Sequence, residues 1–229
     1  MDLISALRTT GSIREFTGQS VSDEVVYEIL DDARFAPSGG NRQAWHVILV
    51  KDHRQRRAVR DLYLDAWHDY VGHLLAGLIP FSPLATDEHR AAALAQRHAA
   101  EALSNPTGFA ETIDSVPVML VVCVNLEVLA ATDRDLDRYQ FVGGASLYPF
   151  VWSILLSAHE HGLGGVMTTV ATRRENDVRI ALGIPDTYAV ASVVVLGHPI
   201  KRHTNLTRRA VEAFTTLDTF TGESFKPAR

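Results

Sequence analysis

Cysteine is nearly absent from this chain. One thiol, Cys123, in 229 residues excludes an intrachain disulfide. Zinc-type sites need thiols and imidazoles at close spacing. The ten histidines show no such pattern, and His159 and His161 of the sequence HEH would point to different sides of a helix. No metal site is expected. An excess of one charge is also missing: the formal net charge is -5, with Lys and Arg scattered among Asp and Glu. Without a basic stripe, nucleic acid is not expected as a partner. No apolar run approaches the roughly 20 residues of a membrane span, and MDLISALR is too short an apolar opening for a secretory leader. The expectation is a cytoplasmic protein with no membrane association.

What is present is the material of a core. Hydrophobic residues make up 46% of the chain against 21% charged, which is the balance of a globular protein, and the length suits one domain over residues 1–229. Cys123 lies inside VPVMLVVCVN, where a thiol behaves as a small buried hydrophobe.

Ser22 can cap a helix whose first turn holds Asp23 and Glu24 against the positive end of the dipole. Val25, Val26, Ile29, Leu30 and Ala33 recur at helical spacing, and Pro37 ends the helix at about Phe35. WHVILV (45–50) and the run 116–124 read as buried strands. Between them a polar, Ala-rich stretch, broken by Gly77, Pro80 and Pro83, predicts a helical insertion of two or three helices over about 54–110. The segment 140–161 is apolar nearly all round and predicts a helix buried on most sides, with Pro149 as its kink or its first turn. Thr172 and Glu175 have capping-box spacing, Gly183 suits a left-handed helix end, and 189–197 predicts a last strand. The tail to Arg229 is poor in apolar periodicity. Strands mixed with helices imply an α+β unit.

Four stretches stand out: SIREF (12–16), APSGGNRQAW (36–45), HGLGGVMTTVA (161–171) and TRRAVE (207–212). Arg14, Arg208 and Arg209 offer forked, permanently charged donors suited to phosphate. Taken singly, each reads first as a solvated surface group, and the glycines as ordinary turns. In this order, with ALGIP (181–185) and VVVLGHP (193–199), the stretches resemble the nitroreductase family of FMN-dependent oxidoreductases over nearly the whole chain. The resemblance implies a mixed sheet flanked by helices, and a homodimer whose C-terminal extension wraps the partner subunit. It also implies FMN bound at the interface by residues of both chains.

Carried over by position, the resemblance gives the flavin Ser12 and Arg14 near its ribityl, phosphate or pyrimidine end. Pro37, Ser38, Gly39 and Asn41 would lie against the ring, Met167, Thr168 and Thr169 along one edge, and Arg208 and Arg209 at the phosphate. No catalytic side chain is required: NADH or NADPH would give a hydride to the flavin, and a nitroaromatic or quinone would then take it. Tyr63, Trp67, His68, Tyr70 and Phe81 of the insertion are candidates for the acceptor channel. Thr10 and Gly11 replace the family's paired arginines, with Arg8 as a substitute. Ala44 replaces a Pro, and Trp152-Ser153 stands where many members have Gln-Asn. Two alternatives remain open: a flavin storage protein without turnover, and a relative that cleaves flavin or removes halogen.

Overall fold

The computed structural model describes residues 2–227. Asp2 caps a short helix α1 (Leu3–Thr9), and Ser22 caps α2 (Asp23–Ala33) by accepting from the Val25 amide. A loop leads into strand β1 (Trp45–Leu49). Asp52 accepts from the amides of Arg54 and Gln55 to open the long helix α3 (His53–Leu75). The rest of the insertion is α4 (Asp87–Ala95), α5 (Arg97–Ala102) and α6 (Phe109–Thr112). Strand β2 (Val118–Asn125), helix α7 (Tyr148–Glu160), strand β3 (Gly164–Thr168), helix α8 (Glu175–Leu182) and strand β4 (Tyr188–Gly197) follow.

The four strands form one antiparallel sheet in the order β1-β2-β4-β3. The one parallel pairing among the described residues is the bridge between Ser12 and Gly165. Alternation along the central strands fills both faces. Leu120, Val122, Val194 and Leu196 meet α2 and α7 through Ile29, Phe150 and Ile154. Met119, Val121, Val193 and Val195 pack on the other side with Val59 and Tyr63 of α3 and Val178 of α8. Burying one such side chain contributes roughly 1.5–3 kcal/mol. Cys123 is only 1% exposed, within the second layer. Trp45 stacks flat on Phe150, with ring centres 4.6 Å apart, fixing the start of β1 against α7.

Two local expectations are corrected. The segment 140–161 is not one helix: Val142–Ser146 is a 3-10 turn, and α7 begins at Tyr148 with Pro149 in its first turn. The capping box at Thr172 does not form. Val170–Arg174 is a 3-10 turn, and Glu175 instead accepts from the Val190 amide at 2.6 Å. A tertiary bond has taken the side chain the cap would have used. Gly183 ends α8 in the left-handed region (φ 66°), as its position predicts. The described part of the tail carries a bridge from Pro199 to Phe16, a 3-10 turn at Val211–Ala213 and a bridge between Thr216 and Ser224. No helix among the described residues is long and apolar enough to cross a membrane.

Candidate functional site

Strand order sets the site, because β3 is an edge. The SIREF segment docks on its first half, where the Ile13 amide donates to the Gly165 carbonyl at 2.8 Å. Glycine is needed there: a Cβ on Gly164 would come 2.8 Å from Ile13, and one on Gly165 2.5 Å from Leu196 and the Val195 carbonyl. The segment then turns away, so that the Thr17 amide reaches the His198 carbonyl at 2.8 Å. Since the Gly165 carbonyl faces outward, the two-residue repeat aims the backbone groups of Met167 at the same outer edge. They lie beyond the stretch that SIREF covers. Arg14 is left exposed beside this edge.

The edge opens on a cavity of about 400 Å³. Tyr63, Trp67 and Tyr70, spaced four and three apart on α3, supply one wall. Trp67 and Tyr70 lie nearly parallel at 4.8 Å, Tyr63 and Trp67 at 6.5 Å. Phe109 of α6 meets Tyr63 edge-on, and the Arg14 guanidinium sits 5.9 Å from the Phe109 ring centre. Thr168 donates its hydroxyl to the Tyr63 phenol oxygen at 3.3 Å, tying the insertion to the edge strand. Burial pushes the Tyr63 phenol up, partly opposed by that bond and by the Arg14 charge. At the far end burial works against ionisation of Glu111. The Ser104 hydroxyl and Asn105 amide, at 2.6 and 2.7 Å, outweigh it and hold the carboxyl below its usual range.

Four of the expected insertion residues, Tyr63, Trp67, His68 and Tyr70, line this cavity. Phe81 does not; it lines a neighbouring one. Phe109 and Glu111 carried no motif in the sequence, because their place depends on how the insertion folds back onto α3.

The frame around the cavity is ionic. Asp65 and Asp69, one turn apart on α3, are each gripped by Arg97 of α5 and by Arg174. Arg97 also reaches Glu101 at 2.7 Å. The carboxylates raise the Arg97 guanidinium far above its ordinary range against the opposing effect of burial.

The second group of expected residues is elsewhere. Ser38 accepts from the Gln43 amide at 3.0 Å, and the Gly39 amide donates to the Ser146 hydroxyl at 2.9 Å. Gly40, Asn41 and Gln43 all take positive φ (60°, 54° and 49°), so the loop is a strained shelf held by its surroundings. Pro37, Gly39 and Asn41 are exposed on it. This loop feeds β1, at the edge opposite β3, and three strand spacings amount to about 14 Å. The chain therefore brings together Ser12, Arg14, Met167 and Thr168, with Thr169 following, and holds Pro37, Ser38, Gly39 and Asn41 apart from them. Arg208 and Arg209 are exposed on the tail, and neither lines the cavity.

Positions 10 and 11, where arginines were expected, have structural duties. The Thr10 hydroxyl pairs with His159 Nδ1 at 2.7 Å, and a Cβ on Gly11 would come 2.9 Å from His203 and Leu206. The donor set at the β3 edge fits a flat heteroaromatic ring with acceptors along one side. An outward backbone amide could donate to such a ring's edge, a guanidinium could pair with an anionic end, and aromatic side chains could stack on a second flat molecule.

The sequence model of the nitroreductase family matches residues 7–198. The chain belongs to the nitroreductase family. Among relatives, an NADH dehydrogenase of Thermus thermophilus is 27% identical over 200 residues, 87% of either chain. A protein of Archaeoglobus fulgidus, provisionally named an NADH dehydrogenase/NAD(P)H nitroreductase, is 26% identical over 86% of either chain. The fold is shared with a nitroreductase-like protein of Bacillus cereus (TM-score 0.63, 19% identity, 96% of this chain and 97% of that one). It is also shared with the NADPH:FMN oxidoreductase of Vibrio harveyi, solved with NAD+ (TM-score 0.63, 19% identity, 95% and 77%). As a nitroreductase-family member the chain is an oxidoreductase, with a small antiparallel sheet flanked by helices.

Proposed function

We propose that this protein is an FMN-dependent NAD(P)H oxidoreductase that works as a homodimer and reduces a flat acceptor of the nitroaromatic or quinone class. The observation that carries the reading is the outer edge of Met167, which no described residue pairs with, beside Arg14 at the mouth of a cavity walled by Trp67 and Tyr70. When bound, FMN would supply the redox chemistry, the passage of a hydride from NADH or NADPH to the acceptor.

The chain's own residues position and tune. The Met167 amide would donate along the ring edge, flanked by Thr168 and Thr169. Arg14 would favour negative charge at the pyrimidine end, and Ser12 would donate to the ribityl or phosphate region. Trp67 and Tyr70 would exclude water above the reacting face and stack the nicotinamide or the acceptor in turn. The Pro37, Ser38, Gly39 and Asn41 shelf, at the far edge of its own sheet, would close the site of the partner subunit. Arg208 and Arg209 would reach the phosphate. Exposed apolar groups support pairing of two copies: Leu3 and Ile4 of α1, Tyr27 of α2 and Phe35 just beyond it, and Trp152 of α7.

The test is an absorbance spectrum of purified protein, under nitrogen, before and after NADPH or NADH. Flavin bands that bleach on addition of reductant are expected. A sample left colourless after incubation with FMN, or one that neither nucleotide bleaches, overturns the reading. Replacing Arg14 by Ala removes a charge-assisted hydrogen bond of roughly 1.5–3 kcal/mol, so FMN affinity should fall by about 10- to 150-fold.

A further inference from the structure

Helix α3 has a second working face. Asp69 and His73 line another cavity, of about 320 Å³, with Phe81, Ser82, Arg90 and Arg173. The same two segments border both cavities: Val170 lines the first and Arg173, three residues on, the second. The partition between them is aromatic, with Tyr70 on one side and Phe81 on the other, 6.3 Å apart. A reactant whose ring stacks on Trp67 and Tyr70 has this second cavity as its immediate neighbour.

Phe81 is held at φ 53°, a conformation that costs a bulky residue on the order of 1–3 kcal/mol. The strain places its ring 4.8 Å from that of His73 and 4.9 Å from the Arg173 guanidinium carbon. Stacking of this kind orients a guanidinium and leaves its edge N–H groups free. The other charges here are engaged. Asp69 is gripped by Arg97 and Arg174 at 2.5 and 2.8 Å, and Arg90 is held by Asp87 and the Ala85 carbonyl at 2.5 and 2.9 Å. Of the cavity's Asp and Arg side chains, Arg173 is the one with no ion pair among the described residues.

We propose that this cavity receives an oxyanion, phosphate or carboxylate, carried by a reactant whose ring occupies the aromatic cavity, with Arg173 as its principal ligand. The proposal rests on the reading of the protein as an NAD(P)H oxidoreductase. Two reactants can carry such a group: the reductant, since NADPH has a ribose phosphate that NADH lacks, or an acidic aromatic acceptor.

The test compares wild type with Arg173→Ala and Arg173→Lys, after the flavin spectrum of each sample has been recorded. A colourless wild type would count against the cofactor reading itself, whereas the kinetic arms address the cavity in protein that is yellow. One arm measures flavin reduction by NADPH against NADH; the other measures turnover with para-nitrobenzoate against para-nitrobenzamide. In Arg173→Ala the KM for the member of one pair that carries the additional oxyanion, NADPH or para-nitrobenzoate, should rise about 10- to 150-fold, the loss of one charge-assisted hydrogen bond. The counterpart that lacks this group and kcat should be unchanged, and Lys should restore part of the loss. The affected pair identifies the source of the anion. Equal effects on both members of each pair, or no effect in either arm, overturn the proposal.

Discussion

The Gly39 amide donates to the Ser146 hydroxyl across 107 positions of sequence, at 2.9 Å. That bond fastens the Ser-Gly-Gly-Asn shelf to the turn before α7. A Cβ on Gly39 would come 3.1 Å from Ala130 and 3.2 Å from the Ser146 oxygen. The shelf's shape is therefore set by its neighbours, and altering a neighbour should alter the shelf.

Replacing Ser146 by Ala removes the partner of the Gly39 N–H, at a cost of about 0.5–1.5 kcal/mol. The expected result is a lower melting temperature and faster loss of FMN on dialysis, followed by fluorescence of the released flavin. Retention equal to wild type would show that the shelf does not bear on the cofactor.

Asp133 latches the loop that backs this shelf. It is 2% exposed, and its Oδ2 accepts from the Phe141 and Val142 amides at 2.9 and 3.2 Å and from Arg138 at 2.9 Å. The Phe141 amide, then Val142 and Arg138, outweigh burial and hold the carboxyl below its usual range. A depressed carboxylate stabilises the fold above its unfolded pKa and loses that contribution as pH falls through the folded value. Asp133→Asn should exchange the backbone amide hydrogens of the 133–142 loop for deuterium faster than wild type at neutral pH, read by mass spectrometry. The difference from wild type should shrink as the sample is acidified below the ordinary aspartate range.

His159 gives a second pH dependence, in a milder range. Burial, and then the Arg202 charge, push it below its ordinary value of 6.5. The unfolded chain therefore takes up the proton first, so this contribution is intact above 6.5 and fades as pH falls through the folded value. Thermal melts should show wild type losing stability as pH drops below 6.5. His159→Gln should lack that slope and also lose the 2.7 Å contact that holds Thr10, at the end of α1, against α7.

Cys123 should be inert. Burial, with the Glu175 charge behind it, raises its thiol to about 11. A colorimetric thiol reagent at neutral pH is expected to label the unfolded chain and leave the native one unmodified.

Features coded by a few adjacent residues were legible in the sequence. Ser22 with Asp23 and Glu24 starts α2, Gly183 ends α8, and the apolar runs around Val47 and Val121 become strands. The misread elements are those where a distant partner intervened. Glu175 left its capping box for the Val190 amide. Gly143 and Gly144 sit in a 3-10 turn, Gly144 being too close to the Tyr148 ring for a side chain, so α7 starts later than its apolar run suggests. Among site residues, SIREF and HGLGGVMTTVA were visible as motifs and do meet across the Ser12 and Gly165 bridge. That the Ser38 and Asn41 shelf lies at the opposite edge was not legible, because strand order is a property of the whole sheet. Arg173 lies in the sequence between Thr172 and Glu175, inside a helix-start pattern that gives it no role of its own. Its position over Phe81 depends on how the chain returns after Gly77 and Pro80.

The ionic clamp at Asp65 and Asp69 separates scaffold from upholstery. It joins α3, α5 and the turn before α8 through groups that do not touch the space where Trp67, Tyr70 and Phe109 point. Exchanging those rings for others would leave the walls standing. A lineage built this way can change its clientele one side chain at a time without first rebuilding the room.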